Sequence, residues 1–564
     1  MTARGHAAAF AVLFGGLGLA FFVLNAQHAY HPTDDGFVLA YAWRLVNGEV
    51  PYRDFLCVRT PLTLYLHLPE LLLPEGWQIQ AGRFVFYLEL ALAGALPTAW
   101  AALRCGLRAT PRALALAAIF FLFTLHNFPP MPWPTVDAVA FSSAAATAFL
   151  FSLEATARRA LVLCAATSIL LTLAVLAKQT FAPLPVLLVA FALVEAVHAR
   201  TWRRFAASTL PGALIGLGTL TALALAGALE PFLRQIAQPA QLRPSVAIPW
   251  SGDVLSGGLE PYVRALSPIS AAFMLAAFAL VRSRGPRASL VRKAGSLGVF
   301  AAFAALAVEA QLDVFSAGRH LFLVLAAAGG AELLGSLDRR DRLTVAAYAS
   351  VLAVAWCASL SFAYQTPLLG LAAGGMLLER AFGRAHWPAE RLAVALAVAF
   401  VLAGVIRLDL DRPYRDLPRE AQVADLGDVY PRFGHLHTNQ ANYERFVELR
   451  DLIERSAPDS GRGFVVMPDY PLIHFLSGTR NPLSIDWLQP QEYLGNEGRL
   501  ERELRERRPL VLVQRDASLT VGPAEEPPHP CDRPPEPASS LVVEVTSRWV
   551  LLAEGRHFCV YRPP

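Results

Sequence analysis

Residues 33–67 read TDDGFVLAYAWRLVNGEVPYRDFLCVRTPLTLYLH. Asp34 and Asp35 come soon after the first apolar run, residues 7–25, and Arg53, Asp54 and Arg59 follow within thirty residues. A lipid-facing segment excludes adjacent carboxylates, so this stretch lies outside the first hydrophobic helix and is built for something other than crossing. Thr33 or Asp34 suits a helix N-cap and Gly48 a C-cap. Phe37, Tyr41 and Leu45 then share one face, the pattern of a helix lying on a membrane surface. VPYRDF breaks it. Thr60 caps a second helix with Pro61 in its first position, and Pro69 ends or kinks it. Residues 26–82 therefore form an outer loop in which two interfacial helices flank an ordered polar turn.

The rest of the chain sets this loop in a membrane protein. Of 564 residues, 55% are hydrophobic and 17% charged, with a mean hydropathy of +0.41; soluble domains carry about 25% charge. A net charge of +4 is too small at this size for a nucleic-acid partner. About thirteen apolar runs approach or reach the roughly 17–25 residues that a span requires. The third (113–125) and twelfth (367–379) are short, and the last ends at 406. The first run, followed by LNAQHA, has the look of a signal peptide, but twelve further runs make an uncleaved span the expectation. The fold class is a polytopic helical membrane bundle.

Arginine sets its orientation. Alternate loops read RCGLRATPR (104–112), HARTWRR (198–204), RSRGPRASLVRK (282–293) and DRRDR (338–342), and positive short loops face the cytoplasm. The N-terminus is then cytoplasmic. With an odd number of spans, residues 407–564 share the outer compartment with residues 26–82. The bundle occupies residues 1–406. Beyond it the pattern alternates strand and helix: GFVVMPD (463–469) and PLVLVQRD (509–516) read as buried strands, with helices at 439–457, 471–478 and 499–508. SLVVEVTSRWVLL (540–552) reads as further strand, and 522–540 as a Pro-rich loop. This is a small extracytoplasmic α/β domain. Cys531 and Cys559 both fall in it, where oxidation is permitted, and a disulfide between them is possible.

With the polar turn and its setting in hand, the sequence resembles the GT-C membrane glycosyltransferases, in particular bacterial relatives of protein O-mannosyltransferases and lipid A aminoarabinose transferases. These carry an acidic pair after the first span, a stretch like G..PYRDF and then KPPL. Here the stretches read Asp34-Asp35-Gly36, Gly48-Glu49-Val50-Pro51-Tyr52-Arg53-Asp54-Phe55 and Arg59-Thr60-Pro61-Leu62. Arg replaces Lys and Thr replaces the first Pro in the last motif. AKQT (177–180) and GRHLFLVLAA (318–327) are weaker matches, and both fall on the side of Asp34. The resemblance implies a polyprenyl-phosphate-linked sugar as donor, membrane lipids as surroundings, and an envelope glycan, lipid or protein as acceptor. A carboxylate must take the acceptor proton and cations must stabilise the departing phosphate. Asp34 and Asp35 are the candidate catalytic pair, Asp34 as the base and Asp35 positioning the acceptor or supporting the loop. Arg59, Lys178 and Arg319 are candidate phosphate contacts. Tyr52, Arg53, Asp54 and Trp133 are candidates for positioning substrate. No cofactor is certain; a divalent cation is possible.

Each residue has a plainer reading. Asp34 serves as a helix cap, Arg59 as an anchor, Lys178 as a snorkelling span end, and Glu89 as a buried packing partner of Arg83. Asp409-Leu410-Asp411 is a D-x-D on the wrong side for nucleotide sugars, and His435 and His437 lack further ligands at usable spacing. The alternative function is a transporter or flippase of lipid-linked sugars. That function calls for charge in a central cavity, whereas the candidate charges here gather at the outer ends of the spans.

Overall fold

The computed structural model describes residues 1–32, 34–125, 130–237, 314–339, 342–360, 367–382, 390–411, 413, 416–456, 463–468, 470–493, 495–515, 530–531 and 539–564. Thr33, the apolar runs at 267–281 and 294–311, and most of the Pro-rich loop lie outside these residues.

Among the described residues, ten α-helices precede residue 238: α1 (Ala3–Asn25), α2 (Phe37–Val46), α3 (Leu62–Leu66), α4 (Gln78–Arg104), α5 (Pro111–Leu125), α6 (Pro134–Ser152), α7 (Ala157–Ala177), α8 (Pro183–Ala199), α9 (Trp202–Leu225) and α10 (Leu229–Ala237). Four more described α-helices lead up to residue 411: α11 (Val314–Arg339), α12 (Arg342–Ser359), α13 (Gly374–Phe382) and α14 (Glu390–Asp411). Among the described residues, six helical stretches are long and apolar enough to cross a membrane, at Ala3–Asn25, Gln78–Arg104, Pro134–Ser152, Ala157–Ala177, Gln179–Ala199 and Trp202–Leu225. The protein is a polytopic helical bundle with a small α/β domain.

The two short runs are short because protein, not lipid, surrounds them. Helix α5 has 15 residues and is buried continuously from Leu116 to Leu125. The run at 367–379, expected as a span, is a 3-10 turn (Pro367–Gly370) followed by the nine-residue α13. Its backbone is pressed into neighbours: a Cβ on Gly370 would meet Ala355 Cα at 2.4 Å, and one on Gly375 would meet Leu116 C at 2.7 Å. Broken helix at membrane depth is tolerated where protein buries it. The segment still leads from Leu368, whose carbonyl accepts from Thr124, to Glu379 beside Arg112.

The C-terminal domain holds α15 (Gln440–Ser456), α16 (Glu497–Arg507) and α17 (Ser540–Arg548), with strands β1 (Ala424–Asp425), β2 (His437–Thr438), β3 (Phe464–Met467), β4 (Leu510–Gln514), β5 (Val550–Glu554) and β6 (Phe558–Arg562). The main sheet runs β3-β4-β6-β5, with β3 and β4 parallel and the other pairs antiparallel. Residues 540–548, read as strand, are helical. The Ser539 hydroxyl accepts from the Val542 amide at 3.3 Å, and Leu541, Val542 and Val545 fall on one buried face. Capping and burial outweigh the strand preference of valine here. Cys531 and Cys559 form a disulfide with 5.7 Å between Cα atoms.

Helix α2 lies between the two parts rather than bare on a bilayer. Phe37 through Ala42 and Arg44 are all buried. Leu39 and Tyr30 share a core with Phe433, Phe446 and Leu472 of the C-terminal domain. Trp43 Nε1 donates to the Thr479 carbonyl at 2.8 Å.

Candidate functional site

The first turn of α2 is the centre of the site. Its N-cap is Gly36, at φ 91° and ψ −1°, and no side chain caps the helix. The cap reading of Asp34 therefore fails: the helix begins at Phe37, and glycine, which tolerates positive φ, makes the corner. A Cβ on Gly36 would sit 2.6 Å from Leu472, so the corner is also covered closely by the C-terminal domain. Asp34 and Asp35 are both buried in the preceding turn.

Asp35 holds that turn. Its Oδ2 accepts from the His31 amide at 3.1 Å and lies 3.5 Å from Arg83 Nη2. Burial pushes its carboxyl up to about 6, against the pull of Arg83 and of the His31 amide. Arg83, fully buried at the start of α4, donates to the carbonyls of Asn25, Ala26, His28 and Ala29 at 2.7–3.2 Å. It thus pins the exit of α1 beneath the aspartates. Sequence reading paired Arg83 with Glu89; instead Glu89 hydrogen-bonds Asp137.

Phe37 gathers the other candidates. The Arg59 guanidinium sits 4.4 Å over its ring, Trp133 meets it edge-on at 5.4 Å, and Trp487 stacks on it at 5.2 Å. Arg59 makes a bidentate pair with Glu492 at 2.7 and 2.8 Å. Lys178, in the turn after α7, donates to Thr135 Oγ1 at 2.5 Å, and Trp133 Nε1 reaches the same hydroxyl at 3.1 Å. Burial, with Arg59 nearby, brings the Lys178 ammonium down to about 7. Among the described residues no carboxylate pairs with it. Arg59 and Trp133 therefore meet at Phe37, the first residue of α2, and Lys178 is joined to Trp133 through Thr135.

The other candidates shape the loop. Tyr52, buried at φ 69°, donates its hydroxyl to the Arg59 carbonyl at 2.7 Å and packs edge-on against Phe232 of α10. Gln235 of α10 donates to the Tyr52 carbonyl and accepts from the Cys57 amide. Arg53 and Asp54 pair with each other at 2.8 Å, and Arg499 of the C-terminal domain reaches both their carbonyls at 3.1 Å. These contacts hold the turn that presents Arg59. Arg319 stands in the first part of α11 with its Nε buried and unpartnered; no contact ties it to Arg59 or Lys178.

A second polar node lies under the loop. His67 Nδ1 meets Glu70 Oε1 at 2.7 Å and its Nε2 meets Asp137 Oδ1 at 3.3 Å, while Thr63 Oγ1 donates to Asp137 Oδ2 at 2.6 Å. Burial opposes its charge, but Asp137 and Glu70 push the imidazole up to about 10. The node ties α3 to the start of α6, two residues from Thr135. The sequence signal for it was His67 three residues before Glu70, with a lone aspartate opening an apolar helix. No metal ligand set of three His, Cys, Asp or Glu exists among the described residues. With Arg83 already beside Asp35, the aspartate pair does not fit a divalent cation, and no step is assigned to one.

No family model matches this chain. No curated protein matches it either. Two solved structures show a likeness in layout. One is ArnT from Cupriavidus metallidurans in the apo state, with a TM-score of 0.39, 14% identity, and coverage of 99% of this chain and 98% of that one. The other is the same protein bound to undecaprenyl phosphate, with a TM-score of 0.39, 13% identity, and 98% coverage of both chains. At that score the likeness assigns no residue a role.

Proposed function

We propose that the chain is an integral-membrane glycosyltransferase that moves a sugar from a polyprenyl-phosphate donor to an acceptor hydroxyl at the outer face of the cytoplasmic membrane. The observation that carries this reading is the gathering of Arg59, Trp133 and Trp487 on Phe37, two residues along the chain from the buried Asp34–Asp35 pair, with Lys178 joined to Trp133 through Thr135. Displacement at an anomeric carbon with a phosphate leaving group requires a carboxylate and cations.

Asp34 takes the proton of the acceptor hydroxyl as its oxygen bonds to the anomeric carbon. The bond from that carbon to the phosphate oxygen breaks, and the electron pair leaves with polyprenyl phosphate. Lys178 and Arg59 hold the phosphate charge, Arg59 exchanging Glu492 for it. One displacement inverts the anomeric configuration. Asp35, fixed by Arg83 and the His31 amide, keeps Asp34 in its turn. The N-terminus is then cytoplasmic and the C-terminal domain extracytoplasmic, in line with the arginine-bearing loops at the opposite end of the bundle.

The test is donor consumption in nanodiscs, with polyprenyl-phosphate sugars and an envelope extract as acceptor. Asp34→Asn is expected to fold with an unchanged Tm and lose at least 100-fold in turnover, on the order of a general base's contribution. Unchanged turnover in that variant removes Asp34 as the base.

A further inference from the structure

Lys178 and Arg59 are like charges from distant parts of the chain, and Arg59 is one of the causes that bring the Lys178 ammonium down. Like charges at low dielectric repel, so whatever holds the two in one site must be built into the fold.

The turn after α7 shows what does. Helix α7 ends at Ala177, Lys178 is extended at φ −148° and ψ 122°, and a 3-10 turn takes up Gln179–Phe181. This change of backbone sends three consecutive side chains to three partners. Lys178 Nζ donates to the Thr135 hydroxyl of α6 at 2.5 Å, Gln179 Nε2 to the Val58 carbonyl at 2.9 Å, and Thr180 Oγ1 to the Cys357 carbonyl of α12 at 3.2 Å. Val58 immediately precedes Arg59. The Gln179 bond therefore joins the residue after one cation to the residue before the other. Tyr52 donates to the Arg59 carbonyl at 2.7 Å, so the carbonyls on both sides of the Arg59 Cα are held. A second tie runs through α6, where Asp137, two residues after Thr135, accepts from Thr63 of the same loop at 2.6 Å.

The residue type at 179 matters. An amide donor is neutral and joins the two segments without changing their charge. A carboxylate there would compete with an anionic ligand for the cations, and an apolar side chain would leave the buried Val58 carbonyl unpaired. We infer that Gln179 is a positioning residue for the donor phosphate, holding the Lys178 turn against the Arg59 loop so that both cations meet one phosphate. This rests on the reading above that Arg59 and Lys178 hold that phosphate. Gln179 acts through them, and cations already in place spare the ligand the ordering of two long side chains.

The test has a donor-free arm and a donor arm, both on the full chain in detergent. Lys178 and Lys293 are the only lysines in the sequence, so NMR of lysine labelled with carbon-13 at Cε follows Lys178, with Lys178→Arg as the assignment control. Its midpoint lies at about 7 in wild type, where burial, Arg59 and the Cys357 thiol act on it. In Gln179→Met it should rise by about one pH unit or more, because Lys178 moves away from both burial and Arg59. In the donor arm, calorimetry with a short-chain polyprenyl phosphate should show Gln179→Met binding about tenfold more weakly than wild type. In a Lys178→Met background the same change should cost about twofold or less, since most of what Gln179 acts through is gone. Equal losses in both backgrounds, or a Lys178 midpoint that stays at its wild-type value in Gln179→Met, overturns the positioning role. A midpoint that rises in a protein whose wild type binds no polyprenyl phosphate leaves the tie standing and overturns the phosphate role, and with it the proposed function. Gln179 is half-buried. Gln179→Asn, which keeps a polar end one carbon too short to reach Val58, repeats both arms if the methionine variant folds poorly.

Discussion

Asp35 and Lys178 both hold charge in buried surroundings, and each gives way in the direction burial dictates. The Asp35 carboxyl moves from 3.8 to about 6. Between those values the folded state binds more protons than the unfolded one, so this group's contribution to stability falls as pH rises from about 4 to 6. Two units correspond to roughly 3 kcal/mol. Thermal unfolding of wild type against Asp35→Asn across pH 4–7 should show that slope in wild type alone; parallel curves refute it. Lys178 moves down from 10.5 to about 7, so its ammonium is progressively lost above neutrality in the donor-free protein. Donor KM is expected to rise above pH 7, and Lys178→Arg, charged throughout, should remove that limb. The two aspartates, Arg59 and Lys178 were legible in the sequence because ionisable side chains stand out in an apolar chain. Arg83 was not, because its partners are backbone carbonyls, which no side-chain pattern announces.

Helices showed in the apolar periodicity, but what surrounds each helix did not. The face of Phe37, Tyr41 and Leu45 reads the same whether lipid or protein covers it, so α2 was expected at a membrane surface. It is instead closed over by Leu472 and Trp43's partners in the C-terminal domain. The same blindness made residues 367–379 a span and 540–548 a strand. The corner that starts α2 is where this burial is most easily tested. Gly36→Ala places a methyl at φ 91° and 2.6 Å from Leu472. Left-handed backbone costs about 1 kcal/mol and overpacking about 1–3 kcal/mol. A loss of about 2–4 kcal/mol in denaturant unfolding is expected, and Leu472→Ala in the same chain should return the overpacking part. A Gly36→Ala protein as stable as wild type would mean that Leu472 does not cover the turn.

At the scale of the whole molecule, the loop of residues 26–82 is a middle layer between bundle and C-terminal domain, and the Arg44–Asp486 ion pair is one of the ties that hold it there, beside Arg59–Glu492. Arg44 of α2 meets Asp486 at 2.5 and 3.0 Å, the Leu483 carbonyl at 2.7 Å and Glu49 at 2.6 Å. The Arg44 and Asp486 side chains are 4% and 3% exposed. More than 400 residues separate them, so nothing in the sequence joins them. Removing one partner of a buried pair leaves a charge without compensation and costs about 3–5 kcal/mol, whereas replacing both with apolar groups is often neutral. Asp486→Asn should therefore lower Tm and speed hydrogen exchange at the amides of residues 37–46, while leaving those of α5 protected. Arg44→Met with Asp486→Leu should restore most of that protection, since the Glu49 it orphans is already partly exposed. A double variant exchanging as fast as Asp486→Asn would show that the pair supplies specific attachment that apolar contact cannot replace. Asp486→Asn with unchanged exchange in α2 would show that the apolar core shared by Tyr30, Leu39, Phe433 and Leu472 holds the layers together without it.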